Sequence, residues 1–291
     1  MRVLDSHLHL WNPSRLAYDW LEGPLLARFA AEEVAAARRP EDEHAAVFVQ
    51  ADCAPEQFFD EVEWVASIAA TTGVEGIVAG VRLDRGAETE RDLDAVAQHP
   101  LVVGVRHLLQ GEADGFAGDE AFRAGAQMLA ERDLTFDACV RGVTQLRDVA
   151  ALAADLPRLR MVLDHLGKPE VGTAGSPVAP SAEWADALRA VAAHEQVFCK
   201  LSGLPAEAGG DWSPVQLEPF FDVALSAFGE DRLMFGSDWP VSAVTSSPRG
   251  AVIDPDVIGA WADAVASWAA SRDLAVDAIM WDNAARFYGL A

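Results

Sequence analysis

Eight times along this chain a short apolar run gives way to a stretch with helical periodicity, and nowhere do two strand-like runs follow one another directly. A parallel strand pair needs a long crossover, usually a helix, so the alternation prescribes a parallel sheet covered by helices. Eight such units close on themselves, which predicts an α/β fold of the TIM-barrel type, a (β/α)8 barrel with an outer ring of helices. The strand-like runs lie near residues 2–5, 45–50, 76–82, 102–106, 135–140, 197–201 and 233–235, with a further run ending at His165. Helical patterns are read at 25–37, after Pro55, and at 89–98, 119–131, 144–154 and 256–271. Ser181 N-caps another that runs to 194, and a short closing helix covers 282–290. No shift in composition divides the chain, so residues 1–291 read as one domain.

In such barrels chemistry is done where the strands end and the βα loops converge. Asp5-Ser6-His7-Leu8-His9 places two histidines at i and i+2, which point to the same face of a strand and offer two imidazoles to one site. Two half-exposed surface histidines would read the same way in isolation. The other strand ends change the balance, since they carry Gln50, Arg82, Arg106, His107, Arg141, His165, Lys168, Lys200 and Asp238. Four of the seven histidines thus fall at one rim; His44, His99 and His194 fall at the other. Lys168 and Lys200 are the only two lysines, and both fall just at or after the ends of strands. They read as a basic pocket in an acidic protein, or as two surface lysines.

The formal charge of −24 excludes nucleic acid and an anionic membrane as partners, because a polyanion would be repelled over the whole surface. A small molecule is the expected partner, and self-association into a homo-oligomer is compatible with such a barrel. No apolar run approaches the roughly 20 residues of a membrane span. The first strand begins at the N-terminus, leaving no room for a signal peptide. Cys53, Cys139 and Cys199, odd in number and without paired spacing, suit reduced thiols and a cytoplasmic location.

Five segments carry a family resemblance: Asp5-Ser6-His7-Leu8-His9-Leu10-Trp11, Gly104-Val105-Arg106-His107, Asp164-His165-Leu166-Gly167-Lys168-Pro169, Lys200-Leu201-Ser202-Gly203 and Phe235-Gly236-Ser237-Asp238-Trp239-Pro240. Together they resemble the lactonase-like branch of the amidohydrolase superfamily, the amidohydrolase 2 group, which includes sugar-acid lactonases and a pyrone-dicarboxylate lactonase. The resemblance implies a hydrolytic barrel with its catalytic base at Asp238, assisted by His165. Many relatives hold one or two divalent ions, using the strand 1 histidines, a histidine or carboxylated lysine from strands 4 and 5, and the strand 8 aspartate. Here residues 135–141 supply no histidine and strand 4 ends in Arg106-His107, so a two-metal site is not expected. One divalent ion, zinc by its nitrogen and oxygen ligands, would be held by His7, His9, Asp238 and His165; alternatively the site works without metal, the histidines and arginines polarising the carbonyl directly.

The expected reaction is lactone hydrolysis by water that Asp238 activates. Arg106, His107 and Lys168, with Gln50, Arg82, Arg141 and Lys200, would hold hydroxyl or carboxylate groups of the substrate. Trp11, Trp20, Trp212 and Trp239, in the top loops, could stack on a sugar face. Two substrate classes stay open: a sugar-acid lactone such as fucono-, rhamnono- or galactonolactone, and a pyrone-dicarboxylate or muconolactone from aromatic catabolism. A dicarboxylate needs two or three converging guanidinium groups, whereas a neutral sugar lactone needs acids, amides and indoles. A metal-dependent non-oxidative decarboxylase is a third reading, disfavoured by the missing strand 5 histidine, and a non-catalytic barrel is a fourth.

Overall fold

The computed structural model describes residues 1–248 and 250–290. Its centre is one eight-stranded sheet whose strands follow chain order: β1 (Arg2–Leu8), β2 (Glu43–Val49), β3 (Val74–Gly80), β4 (Val102–Arg106), β5 (Thr135–Ala138), β6 (Met161–Leu163), β7 (Val197–Leu201) and β8 (Leu233–Phe235). Successive strands pair in parallel from β1 through to β8. A helix intervenes between each successive pair, so the barrel expected from the alternation is the fold. Among the described residues no helix is long and apolar enough to cross a membrane.

The last seam, between β8 and β1, is closed just beyond the strand ladders. The Asp238 amide donates to the His7 carbonyl and the His9 amide to the Trp239 carbonyl, each at 2.8 Å. Side chains complete it. The Ser6 hydroxyl donates to the Phe235 carbonyl at 2.6 Å. The buried Asp5 carboxylate accepts from the Ser237 amide at 2.7 Å, the Ser237 hydroxyl at 2.5 Å and the His7 amide at 3.1 Å.

Two apolar layers flank the sheet, one between strands and outer helices and one inside the barrel. Leu4, Val47, Val78, Val162 and Met234 belong to the inner layer, together with Phe287 and Tyr288 of the closing helix (Asn283–Tyr288). A slip in register then redirects β1. Between Asp5 and Leu8 the strand advances three residues while β2 advances two, from Ala46 to Phe48. Such an irregularity exchanges the faces of a strand. Leu4 therefore lies in the inner layer, and beyond the slip His7 and His9 take over the inward face.

Two expectations need correction, and one helix lies where the sequence pattern predicts none. The 25–37 helix is instead a 3-10 turn (Gly23–Leu26) and a helix from Ala31 to Ala37, because Phe29 is held extended by reciprocal amide–carbonyl bonds to Trp11 at 2.8 and 2.9 Å. The run ending at His165 stops at Leu163, and residues 164–167 turn sharply with positive φ at His165 and Leu166. The loop after β7 contains a long helix (Pro214–Phe228), opened by a Ser213/Gln216 capping box with Pro214 at its first position.

Removing the Asp5 carboxylate would leave three buried donors without their acceptor, each loss worth about 1–3 kcal/mol. Asp5→Ala is expected to lower the urea unfolding free energy by about 3 kcal/mol or more, and Asp5→Asn, which keeps one acceptor oxygen, by less. A loss below about 0.5 kcal/mol for the alanine variant would show that this carboxylate does not hold the seam.

Candidate active site

The strand ends deliver four side chains to one point. Nε2 of His7 and Nε2 of His9 are 3.2 Å apart. Oδ1 of Asp238 lies 3.9 Å from Nε2 of His7, 3.5 Å from Nε2 of His9 and 3.7 Å from Nε2 of His165. The other Asp238 oxygen accepts from the Ser242 hydroxyl at 2.8 Å, which aims Oδ1 at the imidazoles. The backbone is shaped to allow this: Asp238 has a φ of 56° and His165 one of 54°, conformations that residues other than glycine rarely adopt. Two glycines make room. A methyl group at Gly236 would lie 2.8 Å from Cβ of His7, and one at Gly203 would lie 2.4 Å from Nδ1 of His165.

The second ring nitrogens are also engaged. Nδ1 of His9 faces the Val49 carbonyl at 2.7 Å, and since a carbonyl can only accept, Nδ1 donates and Nε2 is turned toward the meeting point. Nδ1 of His165 faces the Ser202 hydroxyl at 2.9 Å. Nδ1 of His7 lies between Nζ of Lys200 at 3.0 Å and Oδ1 of Asp164 at 3.2 Å. Burial drives the His7 and His165 imidazoles well below their ordinary range, so both are neutral. Burial alone would raise the Asp238 carboxyl, but His165, His9 and Lys168 outweigh it and hold it below its usual value.

Beneath the imidazoles lies a network of buried charge. Lys200 is fully enclosed and reaches Asp137 at 2.5 Å and Asp164 at 3.0 Å. The hydroxyl of Tyr288, from the closing helix, donates to the same Asp137 oxygen at 2.8 Å. Arg106 approaches Asp164 at 3.5 Å and donates to the Gln50 carbonyl. Burial, against the pull of Lys200 and with the push of Asp164, raises the Asp137 carboxyl to about 6. Asp164 is burdened by burial too, yet Lys200 and His7 hold it well below the carboxylate range.

Above this floor opens a cleft of about 370 Å³, bordered by His9, Arg106, His165 and Asp238 and walled by Trp20, Asp52, Gln110, Arg141, Lys168 and Glu207. His9, Arg106, Arg141, His165, Lys168 and Asp238 therefore stand where the sequence placed them. Arg141 makes a two-pronged ion pair with Glu207 at 2.8 and 3.0 Å, and Lys168 donates to Gln110 at 2.5 Å. Lys200 does not: it lies under His7, out of a substrate's reach. Gln50, Arg82 and His107 line an adjoining recess of about 290 Å³. There Arg82 is bound to Asp84 and Glu112, His107 to Glu112, and the Gln50 amide oxygen accepts from the Asp52 amide. Trp11 and Trp239 are enclosed in the core and cannot stack on a ligand, and Trp212 packs on Trp261; Trp20 borders the cleft.

Sequence reasoning missed Asp137, Asp164, Ser202, Tyr288, Asp52 and Glu207. A signal existed for the first: an aspartate inside the apolar β5 must be buried and needs a partner, which the lysine inside the apolar β7 supplies.

A barrel of this kind, with a His-x-His strand, a histidine after β6 and an aspartate after β8 meeting at one end, points to the amidohydrolases. A family model described as Amidohydrolase matches residues 4–290, and the chain belongs to that family. It is 34% identical to a Burkholderia multivorans protein named L-fucono-1,5-lactonase, covering 99% of this chain and 96% of that one. A protein of the same name from Burkholderia ambifaria is 30% identical, over 82% and 80% of the two chains. The crystal structure of an amidohydrolase from Burkholderia multivorans with bound zinc superposes with a TM-score of 0.81 at 31% identity, covering 100% of both chains.

One wall of the cleft, Ala51 and Asp52, rests on the buried Glu61, which accepts from the Ala51 amide at 3.2 and 3.3 Å and from the Tyr18 hydroxyl at 3.3 Å. Burial, only partly offset by those bonds, pushes the Glu61 carboxyl up to about 8 from an ordinary 4.5. Folding thus favours the protonated form: its stabilisation is complete below about pH 4.5 and lost as pH rises through about 8. Glu61→Gln is expected to match the wild type in thermal unfolding near pH 5 and to exceed it by on the order of a few kcal/mol at pH 9. Parallel melting curves for the two proteins over that range would refute this.

Proposed function

We propose that the protein hydrolyses a sugar-acid lactone of the fucono-, rhamnono- or galactonolactone class. The observation that carries the substrate class is the content of the cleft: two carboxylates, an amide and an indole, in Asp52, Glu207, Gln110 and Trp20, surround the point where Asp238 and the imidazoles meet. These are groups that hydrogen-bond hydroxyls and cover a sugar face. The guanidiniums a dicarboxylate would need are already matched, Arg141 by Glu207 and Arg82 by Asp84 and Glu112. The names of the two Burkholderia relatives support the same class.

The donor set fits a single divalent ion. One ligand atom from each of His7, His9 and Asp238, all buried, lies within 4.8 Å of the other two, a spacing and chemistry that suit one small cation. His7, His9 and Asp238 would hold it, with His165 beside them at 3.7 Å from Oδ1 of Asp238, and nitrogen with oxygen ligands suits zinc. When bound, such an ion polarises a carbonyl and acidifies water.

The chain's own groups supply the rest. Asp238, ionised and anchored through Oδ2, takes a proton from water at Oδ1, and the resulting hydroxide adds to the ring carbonyl. Arg106 and His165 line the cleft beside Asp238, and donors there would stabilise the oxyanion. Collapse breaks the ring C–O bond, and Asp238 returns its proton to the departing ring oxygen. Lys168, Gln110, Asp52 and the Arg141–Glu207 pair hold the hydroxyls, with Trp20 against the apolar face.

A pH-indicator assay over sugar-acid lactones and over pyrone and muconolactone carboxylates tests this reading. Turnover is expected on the sugar lactones, and Asp238→Asn is expected to lower kcat by about 10²–10⁴-fold. Preference for a dicarboxylate, or full activity in the variant, would overturn the substrate class or the base. Turnover that survives complete chelation would assign carbonyl polarisation to Arg106 and His165.

A further inference from the structure

The recess of about 290 Å³ beside the cleft opens at the same end of the barrel, and hydrolysis of a single sugar-acid ring makes no use of it. Asp52, Arg106, Leu108 and Gln110 border both hollows, so a ligand seated at Asp238 can continue past them into the recess. Drug-sized ligands occupy pockets of roughly 300–1,000 Å³. The cleft alone, at about 370 Å³, stands at the foot of that range and suits one small ring; the recess adds room for a second.

Two polar groups at the end of β2 meet this space without a partner. Gln50 is only 1% exposed and borders the recess but not the cleft. Its Oε1 accepts from the Asp52 amide at 2.5 Å, which fixes the side-chain amide and turns Nε2 the other way. Among the described residues that Nε2 has no hydrogen-bond partner, and the Asp52 carboxylate, at the junction of the two hollows, receives no hydrogen bond. The same bond holds Asp52 at a φ of 58°, so donor and acceptor keep a fixed relation. An N–H donor beside a carboxylate is what two neighbouring hydroxyls require, since each hydroxyl both donates and accepts. Pro55, Phe58, Val81 and Leu108 add the apolar surface that one face of a sugar ring covers. An anionic substituent is poorly matched, because Arg82 is already paired with Asp84 and Glu112 and Asp52 adds a negative charge.

We propose that the recess is a subsite for a second, uncharged sugar ring, and that the protein opens lactones that carry a glycosyl substituent. This rests on the reading of the protein as a sugar-acid lactonase. The chemistry is unchanged: water adds to the lactone carbonyl, the ring C–O bond breaks, and the glycosidic bond stays intact, so the product is a glycosylated aldonic acid. The second ring contributes binding energy remote from the reacting carbonyl, which raises kcat/KM for the larger substrate.

The test compares lactones that differ only in the added ring: galactono-1,5-lactone against its 4-O- and 6-O-galactosyl derivatives, and glucono-1,5-lactone against maltobiono-, lactobiono- and melibionolactone. A glycosylated lactone is expected to exceed its parent in kcat/KM by about tenfold or more. Gly111→Trp locates the gain. Gly111 borders the recess in a 3-10 turn (Leu109–Gly111), and a Cβ there meets nothing within 4 Å, so the indole crowds the recess without displacing the chain. The variant is expected to lose the advantage and to keep the parent lactone's kcat/KM. An advantage that persists in Gly111→Trp places the second ring elsewhere and overturns the proposal. A wild type that hydrolyses bare sugar lactones but gains nothing from the added ring overturns it too, and leaves the lactonase reading standing. Hydrolysis of no sugar lactone, bare or glycosylated, refutes that reading and the subsite with it.

Discussion

The site depends on how the barrel closes. His7 and Asp238 are far apart in the chain and become neighbours because the Asp238 amide is bonded to the His7 carbonyl, while the Asp5 carboxylate ties the His7 and Ser237 amides together. The atoms that seal the last seam are thus the backbone of the residues that meet in the cleft. Stability and site geometry are not separable here: any loosening of β8 against β1 moves Asp238 relative to both strand 1 histidines. The left-handed backbone at Asp238 is held in the same way, its strain offset by the seam and by the Ser242 hydroxyl.

Below the seam the interior departs from an ordinary barrel core. Leu4, Val78, Val162 and Met234 fill it with hydrocarbon, but at the level above them Asp137, Asp164, Lys200 and Arg106 form a balanced cluster of two carboxylates and two cations. Isolated, any one of these charges would be prohibitive to bury; together they satisfy one another. The cluster gives the imidazoles a rigid, electrostatically defined bed. It also makes the closing helix, often an inert plug, a participant through Tyr288.

Much of this was legible in the sequence. The runs at 102–106, 197–201 and 233–235 coincide with β4, β7 and β8, because buried parallel strands are bounded sharply by Gly, Pro and polar turns. His7, His9, His165 and Asp238 converge as their strand-end positions required. What was not legible depends on which way a side chain faces. Lys200 was read as lying at a rim, but register pairs it with Met234 inside the barrel, and no local pattern distinguishes an inward lysine from an outward one. The slip between Asp5 and Leu8, which turns His7 inward, leaves no mark in the sequence either. Arg82 and His107 sit at strand ends as expected, yet nearby carboxylates in their own loops draw them into the side recess. Trp11 and Trp239 were taken for ring-stacking residues because they are aromatic and near the top, whereas the first loop folds over them and leaves Trp20 at the cleft.

Tyr288 supports Asp137, which supports Lys200, which faces His7, so the charged bed under the imidazoles is assembled from β1, β5, β7 and the closing helix. During synthesis β1 must therefore wait, with one edge unpaired, until β8 and the closing helix have left the ribosome. The buried lysine and aspartates stay solvated until then. A nascent chain stalled before the closing helix would carry most of the barrel and none of the finished cluster, so competence for chemistry arrives in a single late step rather than growing with chain length.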